Sequence, residues 1–114
     1  MGHTVEEHFV GRFPHVREIY DMLFAAASEF GPVEEDPKKT SIHLNRRSAF
    51  AGVATQRESL ILTLKATVAI DDDRIRKSEQ ASANRWYHYI KISNVAEIDG
   101  RLIGWLRDSY EISG

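Results

Sequence analysis

The segment Ser59-Leu60-Ile61-Leu62-Thr63-Leu64-Lys65-Ala66 decides the fold. Leu60, Leu62 and Leu64 recur at every second position, with Ile61, Thr63 and Lys65 between them. Successive side chains of a strand leave opposite faces, so the pattern predicts a strand with one apolar face to cover and one mixed face. Upstream, Gln56-Arg57-Glu58 reads as a turn behind a small-residue strand, Ala49–Thr55, in which Gly52 weakens the strand unless something packs closely there. Arg46-Arg47-Ser48 is a further tight turn behind the strand Thr40–Asn45, where Ile42 and Leu44 point one way and His43 the other. Downstream, the polar stretch Thr67 to Arg85 reads as a long loop, and Trp86–Ser93 as a fourth strand with Trp86, His88, Ile90 and Ile92 opposed to Tyr87, Tyr89 and Lys91.

The two ends of the chain follow another period. Val16, Ile19, Tyr20, Leu23, Phe24, Ala27 and Phe30 recur at three- and four-residue steps, one stripe of a helix over 14–30 that starts at Pro14 and stops at Gly31-Pro32. Thr4 and Glu7 have capping-box spacing, which predicts a short helical turn before it. Asn94 and Glu97 repeat that spacing ahead of a closing helix that carries Ile98, Leu102, Trp105 and Leu106 on one stripe. The expected architecture is therefore α+β: a four-stranded, mainly antiparallel sheet with the N-terminal and C-terminal helices packed on one face, in the order α-β-β-β-β-α.

A chain of 114 residues fits one domain, 1–114, with 1–12 as a short leading segment. Fifteen Lys and Arg against seventeen Asp and Glu leave a net charge of −2, so global charge favours neither a nucleic-acid binder nor a membrane-surface protein. The chain has no cysteine, which removes a disulfide scaffold and a thiol nucleophile. No run approaches the roughly 20 apolar residues of a membrane span, and Met1 to His8 lacks the regions of a signal peptide, so a cytoplasmic location is expected.

Several short motifs share one order and spacing: His8-Phe9-Val10-Gly11, Phe30-Gly31-Pro32, Lys39-Thr40, Phe50-Ala51, His88, and Asp99 with Trp105-Leu106 and Tyr110. Together they resemble the domain of unknown function 5655 family over nearly the whole chain. The resemblance implies a domain found alone or beside helical, DNA-binding or nuclease-like regions, often under the label of predicted transport protein, with no settled activity.

Two constellations carry the expected function. Lys39, Arg46, Arg47 and Arg57 lie on strand-end turns, and with His88 they are expected to line a shallow site for an anionic ligand, either a phosphate-bearing small molecule or nucleic acid. Each also has a plain structural reading, as solvated turn charges and as a hydrogen-bonded core imidazole. The alternative site is the sheet face turned away from the helices, carrying His43, Ile61, Lys65, Tyr87, Tyr89 and Lys91. Such an aromatic and basic face suits a homodimer or stacked bases.

No cofactor or metal is expected. Asp71-Asp72-Asp73 lacks the glycine and closing glutamate of an EF-hand loop and reads as a solvated acidic turn; His3 and His8 lack the spacing of a zinc pair. Glu34 and Glu35 are adjacent in an extended connection and point apart. No nucleophile elbow or phosphate loop is present, so an accessory enzyme is the least favoured class.

Overall fold

The computed structural model describes residues 2–114. After a 3₁₀ turn, Glu6–Phe9, come the helix α1, Pro14–Ser28, and six strands: β1, Glu34–Pro37; β2, Ile42–Asn45; β3, Ala49–Thr55; β4, Leu60–Ala66; β5, Ile75–Ser82; and β6, Arg85–Ile92. A second 3₁₀ turn, Val95–Glu97, leads into the helix α2, Gly100–Glu111. The strands form one antiparallel sheet in the order β1-β2-β3-β4-β6-β5. The α+β class and the four expected strands stand, but the sheet has six strands rather than four.

Both extra strands lie at edges, and both are polar for that reason. β1 pairs only with β2, and its Pro37, which has no N–H to give a ladder, is tolerated at an edge. Glu34 and Glu35 do point apart, but they belong to this strand: Glu35 turns to the helix side, where the Tyr20 hydroxyl donates to its Oε2 at 2.5 Å. Burial and that carboxylate together push the Tyr20 phenol pKa up. β5 lies within the stretch expected to be a loop. It forms a hairpin with β6 and is exposed along almost its whole length, so it has no apolar alternation to display.

The leucine face of β4 is the centre of the core. Leu60, Leu62, Leu64, Ile90 and Ile92 are buried under Val16, Ile19, Tyr20, Leu23 and Ala27 of α1 and Leu102, Leu106 and Tyr110 of α2. Each fully buried aliphatic of this layer contributes roughly 1.5 to 3 kcal/mol of transfer free energy.

β3 departs from simple alternation at Phe50. Leu44 pairs with Ala51 and Asn45 with Ala49, so Phe50 is the extra residue of a bulge and packs its ring against Tyr110, 5.1 Å between centroids. The bulge also separates Phe50 from β4. The buried Ser109 of α2 fills the gap: its hydroxyl donates to the Phe50 carbonyl and accepts from the Lys65 N–H at 2.9 Å.

The helix ends refine the expected boundaries. Thr4 and Glu7 make the reciprocal capping bonds, at 3.2 and 2.8 Å, and α1 ends at Ser28. Asn94 and Glu97 also form their box, but it closes the 3₁₀ turn. α2 is started instead by Asp99, whose carboxylate accepts from the Leu102 N–H at 3.0 Å.

Candidate functional site: the open face of the sheet

Both helices cover one face of the sheet and leave the other bare. Strand register aligns Asp36, His43, Gly52, Thr63, Tyr89 and Lys77 in one row across all six strands. Glycine at the middle of that row leaves a depression. The resulting groove has a volume of about 670 Å³, with Gly52, Ala54 and Thr63 among its floor residues and His43, Lys65, Tyr87 and Tyr89 around them. A Cβ on Gly52 would meet the Thr63 Cβ at 3.7 Å and the His43 Cδ2 at 4.0 Å. Nothing already fills the space above it.

The expected interaction face is thus assembled as strand parity requires. His43, Lys65, Tyr87 and Tyr89 line the groove, while Ile61 and Lys91 form the next cross-strand pair on the same face. β5 completes the wall. The Tyr89 hydroxyl donates to Glu79 Oε1 at 2.5 Å, Lys77 lies 3.8 Å from the other carboxylate oxygen, and its ammonium is 5.4 Å from the Tyr89 ring centroid. The Glu79 hydrogen bond is the main reason the Tyr89 phenol pKa is raised. At the opposite edge, the Lys38 ammonium, 2.9 Å from Asp36 Oδ2, draws the Asp36 pKa below the ordinary carboxylate range.

The five residues expected to gather around an anion are dispersed. Lys39 lies between β1 and β2 and Arg57 between β3 and β4, whereas Arg46 and Arg47 lie between β2 and β3. Turns of an antiparallel meander alternate between the two ends of the sheet. The seven residues of β3 therefore separate Arg57 from Arg46 and Arg47 by roughly 20 Å. Arg46 caps α2, donating to the Tyr110 carbonyl at 3.1 Å with its guanidinium 4.5 Å from the Tyr110 ring centroid. Arg57 covers Phe13 at 5.5 Å.

His88 is fully buried on the helix side of the sheet, stacked on Trp86. Its Nε2 lies 3.1 Å from the Val68 carbonyl, which only accepts, so Nε2 donates there, and the Ser78 hydroxyl is hydrogen-bonded to Nδ1 at 2.8 Å. This imidazole binds the loop before β5 to the sheet.

One residue of the acidic stretch, Asp72, is also structural. Asp71 and Asp73 are exposed, as expected of a solvated turn, whereas Asp72 is half-buried, accepts from the Arg74 N–H at 2.9 Å and pairs with Arg101 at 3.2 Å. Arg74 continues to Asp99 at 3.1 Å and lies over Trp105 at 5.0 Å, fastening residues 67–74 to α2. His3 bonds to Glu7 at 2.9 Å, while His8 bonds to the Lys38 carbonyl at 2.7 Å. Among the described residues no cluster of three metal-ligating side chains occurs, and no helix is long and apolar enough to cross a membrane.

Two α-helices on one face of an antiparallel sheet, with a groove on the other, define a small α+β domain of open-faced type. A family profile described as Domain of unknown function (DUF5655) matches residues 5–113, and the chain belongs to that family. Neither the curated proteins nor the solved structures give a significant match.

Proposed function

We propose that this chain is a binding domain that takes a small ligand with a flat ring into the open-face groove. The observation that carries the reading is the groove itself: a depression at Gly52 bordered by the faces and edges of His43, Tyr87 and Tyr89. Its volume lies within the roughly 300–1,000 Å³ typical of small-molecule sites, and aromatic side chains around a small-residue floor favour stacking over a planar molecule. Recognition of an anionic ligand by basic strand-end residues belongs to this reading at one end of the sheet only, because Lys39 and Arg57 lie at the other end from Arg47.

Amide chemical-shift mapping with a neutral planar probe such as indole tests the proposal. Saturable shifts at His43, Gly52, Thr63 and Tyr89 are expected, and they should vanish in Gly52→Leu. Shifts confined to other surfaces, or none at millimolar probe, would overturn it.

A homodimer through the same face is the second reading, favoured by Ile61, which lies half-buried one row from Tyr89 with no helix over it. Sedimentation equilibrium separates the two readings. A dimer disrupted by Ile61→Lys supports self-association, and a monomer at high concentration supports the groove as a ligand site.

A further inference from the structure

One end of the groove collects positive charge without a matching carboxylate. Lys65 is paired across strands with Tyr87, and Arg85 precedes Tyr87 by two residues, so alternation puts both cations on the open face. The β2–β3 turn brings Ser48 to the same end, where its Oγ lies 3.0 Å from Lys65 Nζ. Among the described residues neither Lys65 nor Arg85 takes part in an ion pair. Glu79, the carboxylate along the groove wall, is engaged by Tyr89 and Lys77.

The isolation of Arg85 is specific at the atomic level. Its Nε is sealed from solvent and has no hydrogen-bond partner. A buried donor on a charged group is costly to leave unpaired, and native structures seldom do so without a water, ion or ligand to complete it. Lys65 feels the same surroundings: burial first, and then the nearby Arg85 charge, lower its pKa. Lys65 in the groove lining and Arg85 one row beyond Tyr87 repel each other, and a bound anion would offset that repulsion.

We propose that Lys65, Arg85 and the Ser48 hydroxyl form an oxyanion subsite at this end of the groove, so that the ligand is a small planar acid bearing a carboxylate or phosphate. The guanidinium supplies a planar donor fork and the ammonium a point charge; the Ser48 hydroxyl, which accepts from Lys65 and donates to the Ser113 carbonyl at 3.4 Å, becomes a further donor when it rotates from that carbonyl to the ligand. The flat part of the ligand extends over Gly52 toward Tyr89. This inference rests on the groove being a ligand site, and matched probes separate the two ideas.

The experiment titrates the full chain with benzoate, with its uncharged isostere benzamide, and with inorganic phosphate, followed by amide shifts and by the Lys65 side-chain NMR signal. Benzoate should bind at least ten-fold tighter than benzamide, and Lys65→Met and Arg85→Met should each abolish that preference. Arg85→Met should also raise the Lys65 pKa in the free protein, and the thermal melts of both variants check that they fold.

Equal affinity for benzoate and benzamide overturns the anion subsite and leaves the groove intact. Phosphate shifts centred on Lys65 and Arg85 without any aromatic binding would retain the oxyanion contacts but overturn the planar acid together with the groove reading. No response to any of the three probes overturns both.

Discussion

Replacing Gly52 by alanine puts one methyl group on the groove floor, and its effect on stability follows from two distances. The new Cβ would lie 3.7 Å from the Thr63 Cβ and 4.0 Å from the His43 Cδ2, ordinary van der Waals separations that require no neighbour to move. Gly52 has no positive φ, so alanine takes its backbone conformation without strain. What remains is the unfolded chain, which alanine makes less free. Substitutions of this kind at compatible positions stabilise by about 0.4 to 1 kcal/mol. For a domain of this length that is a rise in Tm of roughly 2–4 °C, readable by differential scanning calorimetry. The same methyl shallows the groove, so affinity for a flat probe should fall as stability rises. A lower Tm would refute the reasoning, since it would mean that Gly52 answers a structural need and is not spared to keep the floor open.

Three further outcomes follow from the contacts around the core. Ser109→Ala orphans the Phe50 carbonyl and the Lys65 N–H together and should cost about 1 to 3 kcal/mol, seen as a lower urea midpoint at unchanged slope; an unshifted midpoint would contradict the bridging role. Gly31→Ala demands a φ of 151° from an L-residue and sets its Cβ 2.5 Å from the Tyr110 hydroxyl, which donates to the Pro32 carbonyl. A loss of about 1 to 3 kcal/mol in chemical denaturation is expected, and a neutral result would mean that the turn relaxes freely. Asp99 has its pKa lowered by the Leu102 N–H and then by Arg74, so its contribution is present above the unfolded carboxylate value of about 3.9 and is lost as pH falls through the folded one. Asp99→Asn should flatten the acid limb of a stability-against-pH curve, and an unchanged limb would count against this lock.

The parts of the fold legible in the sequence are those in which burial imposes a period. β4 was readable because its leucines must all face the helices, and the same constraint exposed the stripe of α1. β1 and β5 carry no such imprint. An edge strand with little to bury is held by its backbone ladder, and a ladder leaves no trace in residue type. The capping box at Asn94 was read correctly as local chemistry and assigned to the wrong element, because the 3₁₀ turn and the true start at Asp99 lie only a few residues apart.

The open face was legible from parity alone, which put His43, Ile61, Lys65, Tyr87, Tyr89 and Lys91 together. The groove was not, since it depends on the register that sets Gly52 between His43 and Thr63. A glycine inside a strand was nevertheless the available signal. The basic turns were misjudged although chain order held the answer, because successive hairpins reverse direction and cannot bring neighbouring turns together. The partners of His88 were not legible, because they lie in β5 and in the loop before it.

The two borders of the sheet govern how copies of this protein can meet. On one side β1 is four residues long and ends in Pro37; on the other, β5 breaks register twice and carries Arg76, Lys77 and Glu79. Neither border offers a straight run of free amides for a neighbour to extend, so strand-by-strand growth into a ribbon is blocked. Under the homodimer reading the bare face is the contact surface, and a face consumed by its first contact has nothing left to offer a third chain. The proposed dimer, once formed through that face, would therefore be a terminal state, saturating at pairs with rising concentration instead of lengthening into filaments.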